Sequence, residues 1–128
     1  GLGYGDNFQS VLMSNATREM KRFIKKAHKM KRNINETVYL GDLLVTCYSL
    51  FSRNRMFGNM VGKGYTVKSA QMEMSMIAEG YYATKSAYLI NQEKETPAQT
   101  PIIDTVYEIL YQNKNAKSAF NKLTEKLS

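Results

Sequence analysis

Residues 38–55 read VYLGDLLVTCYSLFSRNR, and this stretch decides the fold. Val38, Leu40, Leu43, Leu44, Cys47 and Leu50 leave almost no polar side on a helical wheel. The spacing therefore predicts a helix starting near Asn35 or Thr37 that is central and buried. Ser52 follows as a good N-cap for a short third helix holding Met56, Phe57, Met60 and Val61, with Gly62 and Gly64 as its stop.

Working outward, Thr66 is placed to cap a fourth helix through Met74. Glu79-Gly80 interrupts the next apolar stretch before a fifth helix with Tyr82, Ala83, Ala87 and Ile90 on its apolar face. Gln92 to Gln99, with Pro97 inside it, reads as a loop. Thr100-Pro101 is an N-cap followed by proline at the first helical position, a specific start signal. Ile102, Ile103, Val106, Tyr107 and Leu110 form that helix's apolar face, and a last helix from Asn115 carries Ala119, Phe120, Leu123 and Leu127. Upstream, a helix from Asp6 as N-cap to about Arg32 carries Phe8, Leu12, Ala16, Met20, Phe23, Ala27 and Met30 on one face. No alternating strand, fixed repeat or low-complexity tract stands out, so the fold class is all-α.

A chain of 128 residues is long enough to bury a core without disulfides or metal. Cys47 is its one cysteine and His28 its one histidine, which excludes an internal disulfide and the usual structural zinc clusters, and fits a reducing, cytoplasmic setting. Cys47 reads as a small core residue, His28 as a surface residue, and the eight methionines as core filler. No apolar run is long enough to span a membrane. The Gly-rich start, Gly1-Leu2-Gly3-Tyr4-Gly5, follows no strand and precedes no Lys-Ser/Thr, so it is not a phosphate loop; it reads as the edge of a piece excised from something longer.

The net charge of +7 is concentrated in residues 18–32, REMKRFIKKAHKMKR, where eight basic residues face Glu19 alone. A basic helix suits nucleic acid or anionic lipid, but Arg18, Lys21, Arg22, Lys25, Lys29 and Arg32 fall mostly off the apolar face, as a solvated outer surface requires.

The polar residues among apolar ones are more informative. Asp42 and Thr46 lie four residues apart, so carboxylate and hydroxyl share one face of the second helix. A carboxylate on a buried helix needs a cation or donor. An internal cap or salt bridge satisfies that need, and so does a catalytic lysine or a hydroxylated substrate. Ser52-Arg53-Asn54-Arg55 at a helix N-terminus offers backbone N–H groups, a guanidinium fork and a carboxamide, a set suited to an anion. The same residues also make an ordinary solvated cap, and Glu79 before Gly80 is equally at home as a helix-start charge.

At this point the motifs take on a family likeness. GDLLVTCYSLFSRNR (41–55) resembles the signature of NAD(P)-dependent glycerol-3-phosphate dehydrogenases, in which Gly-Asp-Leu, Thr-Cys and Ser-Arg-Asn occur at this spacing. GLGYGDN at the start, Glu19-Met20, IAEGYYAT (77–84) and TPIIDTVYEIL (100–110) resemble the family in the same order, so the likeness covers nearly the whole chain. It implies that residues 1–128 are the C-terminal helical substrate-binding domain, a multi-helix domain of the 6-phosphogluconate dehydrogenase C-terminal type. The family's N-terminal Rossmann domain, which binds NAD or NADP, and its catalytic lysine are not in these residues. The implied reaction is hydride transfer between the nicotinamide and C2 of dihydroxyacetone phosphate or sn-glycerol 3-phosphate.

Carried over by motif position, Asp42 orients the catalytic lysine with Thr46 beside it. Ser52, Arg53 and Asn54 bind substrate with Asp42, and Arg53 and Asn54 do so chiefly at the phosphate. Arg53, Ile77 and Glu79 reach the cofactor. No metal is implied. The implied partners are a phosphorylated small molecule, the chain's own Rossmann domain and, in a family often dimeric, a second copy. The fragment alone is expected to be folded and inactive. Two other readings stand beside this one: an all-α nucleic-acid-binding module using helix 18–32, and the substrate domain of a sister hydroxyacid dehydrogenase. The first finds no aromatic residues placed for base stacking, and the Ser-Arg-Asn anion site speaks against the second.

Overall fold

The computed structural model describes residues 1–28, 52–74, 78–94 and 97–127. The expected second helix with Asp42, Thr46 and Cys47 lies outside them, as do Ile77, the end of the first helix near Arg32 and the side chain of His28. The described residues contain six helices and no strand: α1 (Asp6–His28), α2 (Arg53–Gly62), α3 (Val67–Glu73), α4 (Glu79–Gln92), α5 (Pro101–Tyr111) and α6 (Ala116–Thr124). The all-α expectation holds. No helix among the described residues is long and apolar enough to cross a membrane.

Capping chemistry sets most of the boundaries. The Ser52 hydroxyl accepts from the Arg55 N–H at 3.3 Å, Thr66 from Ser69 at 3.0 Å, and the Asn115 carboxamide from Ser118 at 3.0 Å. α2 ends as its glycines require: Gly64 sits at φ +108°, and the N–H groups of Lys63, Gly64 and Tyr65 return to the carbonyls of Asn59, Val61 and Met60. At the start of α1 the cap is Gly5 rather than Asp6, because the Gly5 carbonyl takes the Gln9 N–H. Asp6 moves into the first turn, where its charge complements the helix dipole.

The core is built around Phe57, Ala70 and Ala78, with Met60, Val61, Val67, Met74, Tyr81 and Leu110 packed against it. α4 and α5 run antiparallel, joined by stacked rings: Tyr88 lies on Tyr107 with centroids 3.9 Å apart, and Tyr81 lies on Tyr111 at 4.6 Å. This pairing turns α4 away from the expected face. Tyr82 and Ile90 are exposed, Ala83 faces solvent and Ala87 is half-buried, while Tyr81, Thr84, Tyr88 and Asn91 point inward. The aromatic stacking outweighs simple apolar patterning here. Buried Asn91 completes the turn, donating to the Ala98 carbonyl and accepting from the Ala98 N–H, both at 2.9 Å. Methionines divide in a similar way. Met13 is buried, but Met72 is 77% exposed because short α3 turns only Ala70 fully inward.

Thr100-Pro101 does start α5, but the Thr100 side chain is not its cap. Thr100 donates to Asp104, and Glu19 of α1 caps the helix instead. Its two carboxylate oxygens accept from the N–H groups of Ile102 and Ile103, each at 2.7 Å, and the residue is only 2% exposed. Around it the basic residues take the expected outer positions: Arg18, Lys21, Arg22, Lys25 and Lys26 are exposed, with Arg22 donating to the Gln99 carbonyl.

Burial holds the Glu19 carboxyl above its ordinary value of 4.5 despite the two N–H groups and the nearby Arg22 guanidinium. Burial likewise raises Asp104 above 3.8, against the Thr100 hydroxyl. Both groups bind protons more readily folded than unfolded. Their contribution to stability is therefore fully present below about pH 4 and is lost as pH rises through the raised values. Thermal melts between pH 4 and 7 test this, since the combined Glu19→Gln, Asp104→Asn chain should lose that part of the slope. Glu19→Ala, which strands two buried N–H groups, should cost about 2–3 kcal/mol in urea unfolding, and Glu19→Gln, which keeps one acceptor, clearly less.

Candidate functional site

Of the residues singled out in the sequence, Ser52, Arg53, Asn54 and Glu79 fall in the described structure, and two helix starts bring them together. Ser52 caps α2, Arg53 and Asn54 are its first two residues, and both are exposed. Glu79 is the first residue of α4, also exposed, with Gly80 next to it in the first turn. The Asn54 carboxamide oxygen accepts the Gly80 N–H at 2.9 Å, a contact spanning 26 residues of sequence. The helix therefore begins at Glu79 itself, with Gly80 inside its first turn.

The approach is close enough that a side chain at residue 80 would displace the carboxamide. A Cβ at residue 80 would lie 2.8 Å from the Asn54 carboxamide oxygen and 3.1 Å from its carbon. Beneath this contact the packing is aromatic. Tyr81 meets Phe57 edge-on at 5.9 Å and stacks on Tyr111, whose hydroxyl donates to the Tyr81 carbonyl. Burial, then the Tyr81 contacts, push the Tyr111 hydroxyl up to about 12, so it remains a protonated donor at neutral pH. Lys85 sits 5.6 Å above the same ring.

Chemically, this edge offers two helix N-termini, a guanidinium and a carboxamide whose oxygen is already engaged. The donors favour an anion. Among the described residues no group of three His, Cys, Asp or Glu is placed to hold a metal. A separate cleft of about 470 Å³ lies between α1 and the start of α5, lined by Arg18, Glu19, Arg22, Asp104 and Lys126 among others. It contains none of the predicted site residues.

Sequence reading missed Gly80 and the structural role of Glu19. A glycine in the first turn of a helix, where other residues are better helix formers, was the available signal for the first.

Residues 1–121 match the family of the NAD-dependent glycerol-3-phosphate dehydrogenase C-terminus. The chain belongs to that family. It is 37% identical over 123 residues to the glycerol-3-phosphate dehydrogenase [NAD(P)+] of Bacillus cytotoxicus, covering 96% of this chain and 36% of the relative. To the enzyme of the same name from Staphylococcus aureus it is 36% identical over 126 residues, covering 98% of this chain and 37% of the relative. A crystal structure of glycerol-3-phosphate dehydrogenase from Coxiella burnetii superposes with a TM-score of 0.82 at 28% identity, over 94% of this chain and 37% of that one. The chain thus spans little more than a third of the length of these relatives, and its all-α fold is that of their C-terminal part.

The Ser52 cap is the local support of this edge. Ser52→Ala should lower stability by about 1 kcal/mol in urea unfolding, and Ser52→Asp, which can still cap, should recover most of it.

Proposed function

We propose that this chain is the substrate-binding side of an oxidoreductase that interconverts dihydroxyacetone phosphate and sn-glycerol 3-phosphate, working with a dinucleotide-binding Rossmann domain elsewhere in the same protein. Family membership supports the activity. The observation that carries the site is the Asn54–Gly80 hydrogen bond, because it joins the Ser-Arg-Asn start of α2 to the Glu-Gly start of α4.

In this reading the phosphate sits at the start of α2. The Arg53 guanidinium offers paired N–H donors matched to phosphate oxygens, and the first-turn N–H groups add directional donors without a flexible side chain to order. Holding the phosphate places the carbonyl carbon for reaction at a fixed distance from these helix starts. Asp42, with Thr46 beside it, orients the ammonium group of the family's lysine, which holds the proton that the substrate oxygen takes up.

The exposed side chains of this edge also suit NAD(P). Glu79 is an exposed carboxylate suited to ribose hydroxyls, and Arg53 is an exposed cation suited to a pyrophosphate; Ile77, the third proposed contact, is carried over from the sequence alone. Bound NAD(P)H supplies the hydride for this chemistry. A fragment lacking the lysine and the Rossmann domain is inactive in this reading.

Nicotinamide absorbance with dihydroxyacetone phosphate, followed on the full-length protein, tests the reading. Arg53→Ala should lower kcat/KM by about a hundredfold or more, and Arg53→Lys should restore only part, because a point charge does not reproduce the guanidinium fork. Lys25→Ala should leave the rate unchanged. No turnover of dihydroxyacetone phosphate by the wild type with either NADH or NADPH would reject the activity.

A further inference from the structure

The geometry points to Gly80 as a positioning residue for the substrate's phosphate, acting through Asn54. The inference rests on the function proposed above and assigns a role to a residue with no reactive group.

A carboxamide in a polar site can face either way, offering its oxygen or its NH2 to whatever lies in front of it. Here the ambiguity is removed. The Gly80 backbone N–H can only donate, so the atom facing it at 2.9 Å must be the Asn54 oxygen. With its oxygen turned to α4, the carboxamide directs its NH2 the other way on an exposed residue. Asn54 thereby offers a donor next in sequence to Arg53, which suits an anion. Turned the other way, it would set an acceptor oxygen against the phosphate oxygens.

Glycine leaves the carboxamide in this position. A Cβ at residue 80 would stand 2.8 Å from the oxygen that takes the bond, so the Asn54 side chain has to move. Its helix would not suffer. Position 80 lies in the first turn of α4, where alanine is a better helix former than glycine, and the three atoms that the added carbon would meet first all belong to the Asn54 carboxamide. The glycine thus carries a conformational cost to α4, offset by its contact with Asn54. Tyr81, the next residue, is held by Phe57 below and by the Tyr111 hydroxyl on its carbonyl, which keeps the N–H of Gly80 in register with α2.

A double-mutant cycle on the full-length protein tests the proposal: wild type, Gly80→Ala, Asn54→Ala and the double variant. KM for dihydroxyacetone phosphate and the inhibition constant of inorganic phosphate are read for each. Gly80→Ala should raise both about tenfold with kcat changed much less, as expected when a hydrogen bond to a charged group is lost from ground and transition states alike. Asn54→Ala should do at least as much, and in its background Gly80→Ala should have no further effect. Thermal melting of Gly80→Ala should match or exceed that of the wild type, which separates the effect from unfolding. An undiminished effect of Gly80→Ala in the Asn54→Ala background, or unchanged KM and phosphate inhibition in Gly80→Ala, overturns the positioning role and leaves the proposed function standing. A wild type that does not turn over dihydroxyacetone phosphate overturns both.

Discussion

The carboxylate of Glu19, buried in α1, holds the first N–H groups of a helix that begins more than eighty residues later. Those groups have no partner within their own helix, and in a buried setting they need one. Once Glu19 supplies it, the start of α5 is fixed against α1, and the positions of Tyr107 and Tyr111 follow. Their rings stack on Tyr88 and Tyr81 and fix how α4 is rotated. That rotation brings the N–H of Gly80 against the carboxamide of Asn54. A polar contact far from the candidate site is thus linked through packed elements to the geometry of that site. The cost of burying the charge is visible in the raised titration of Glu19, which two short hydrogen bonds do not cancel.

What the sequence made legible was local. Ser52 and Thr66 were readable as caps, and Asn115 as a helix start, because a capping side chain and its N–H partner lie three residues apart. Gly64 was readable as a stop because its backbone conformation favours glycine. Thr100-Pro101 was readable as a start, but the supplier of the cap was not, since Glu19 is distant in sequence and looks like a lone acid in a basic run. The face of α4 was misread for a related reason. Periodicity favoured Tyr82 and Ile90, whereas ring stacking with a helix not yet placed selected Tyr81 and Tyr88. At the candidate site, Ser52, Arg53 and Asn54 stood out by residue type and position as suited to an anion, with an ordinary solvated cap as the other reading. Gly80 was not, because its part lies in a backbone N–H and in the absence of a side chain. Asp42, Thr46 and Ile77 lie outside the described residues, so their places rest on sequence alone.

The distribution of charge bears on how the proposed site would choose its ligand. The chain carries a net +7, and that excess resides in residues 18–32, on the solvated face of α1 as far as it is described. Charge on a solvated face is screened over about 8–10 Å at physiological salt, so it attracts anions in general and distinguishes little among them. Selection of a phosphate ester demands donors at fixed angles. The start of α2 carries Arg53 and Arg55, its N–H groups are held by helix geometry, and its carboxamide is turned by a neighbouring backbone. Such donors lose little freedom when an anion arrives, so more of each hydrogen bond remains as net affinity. In the proposed function, the most basic stretch and the phosphate-selecting surface are therefore different parts of the molecule. Had net charge alone been decisive, α1 would have been the functional surface. The directional donors instead converge where α2 and α4 begin, next to a glycine that brings no charge at all.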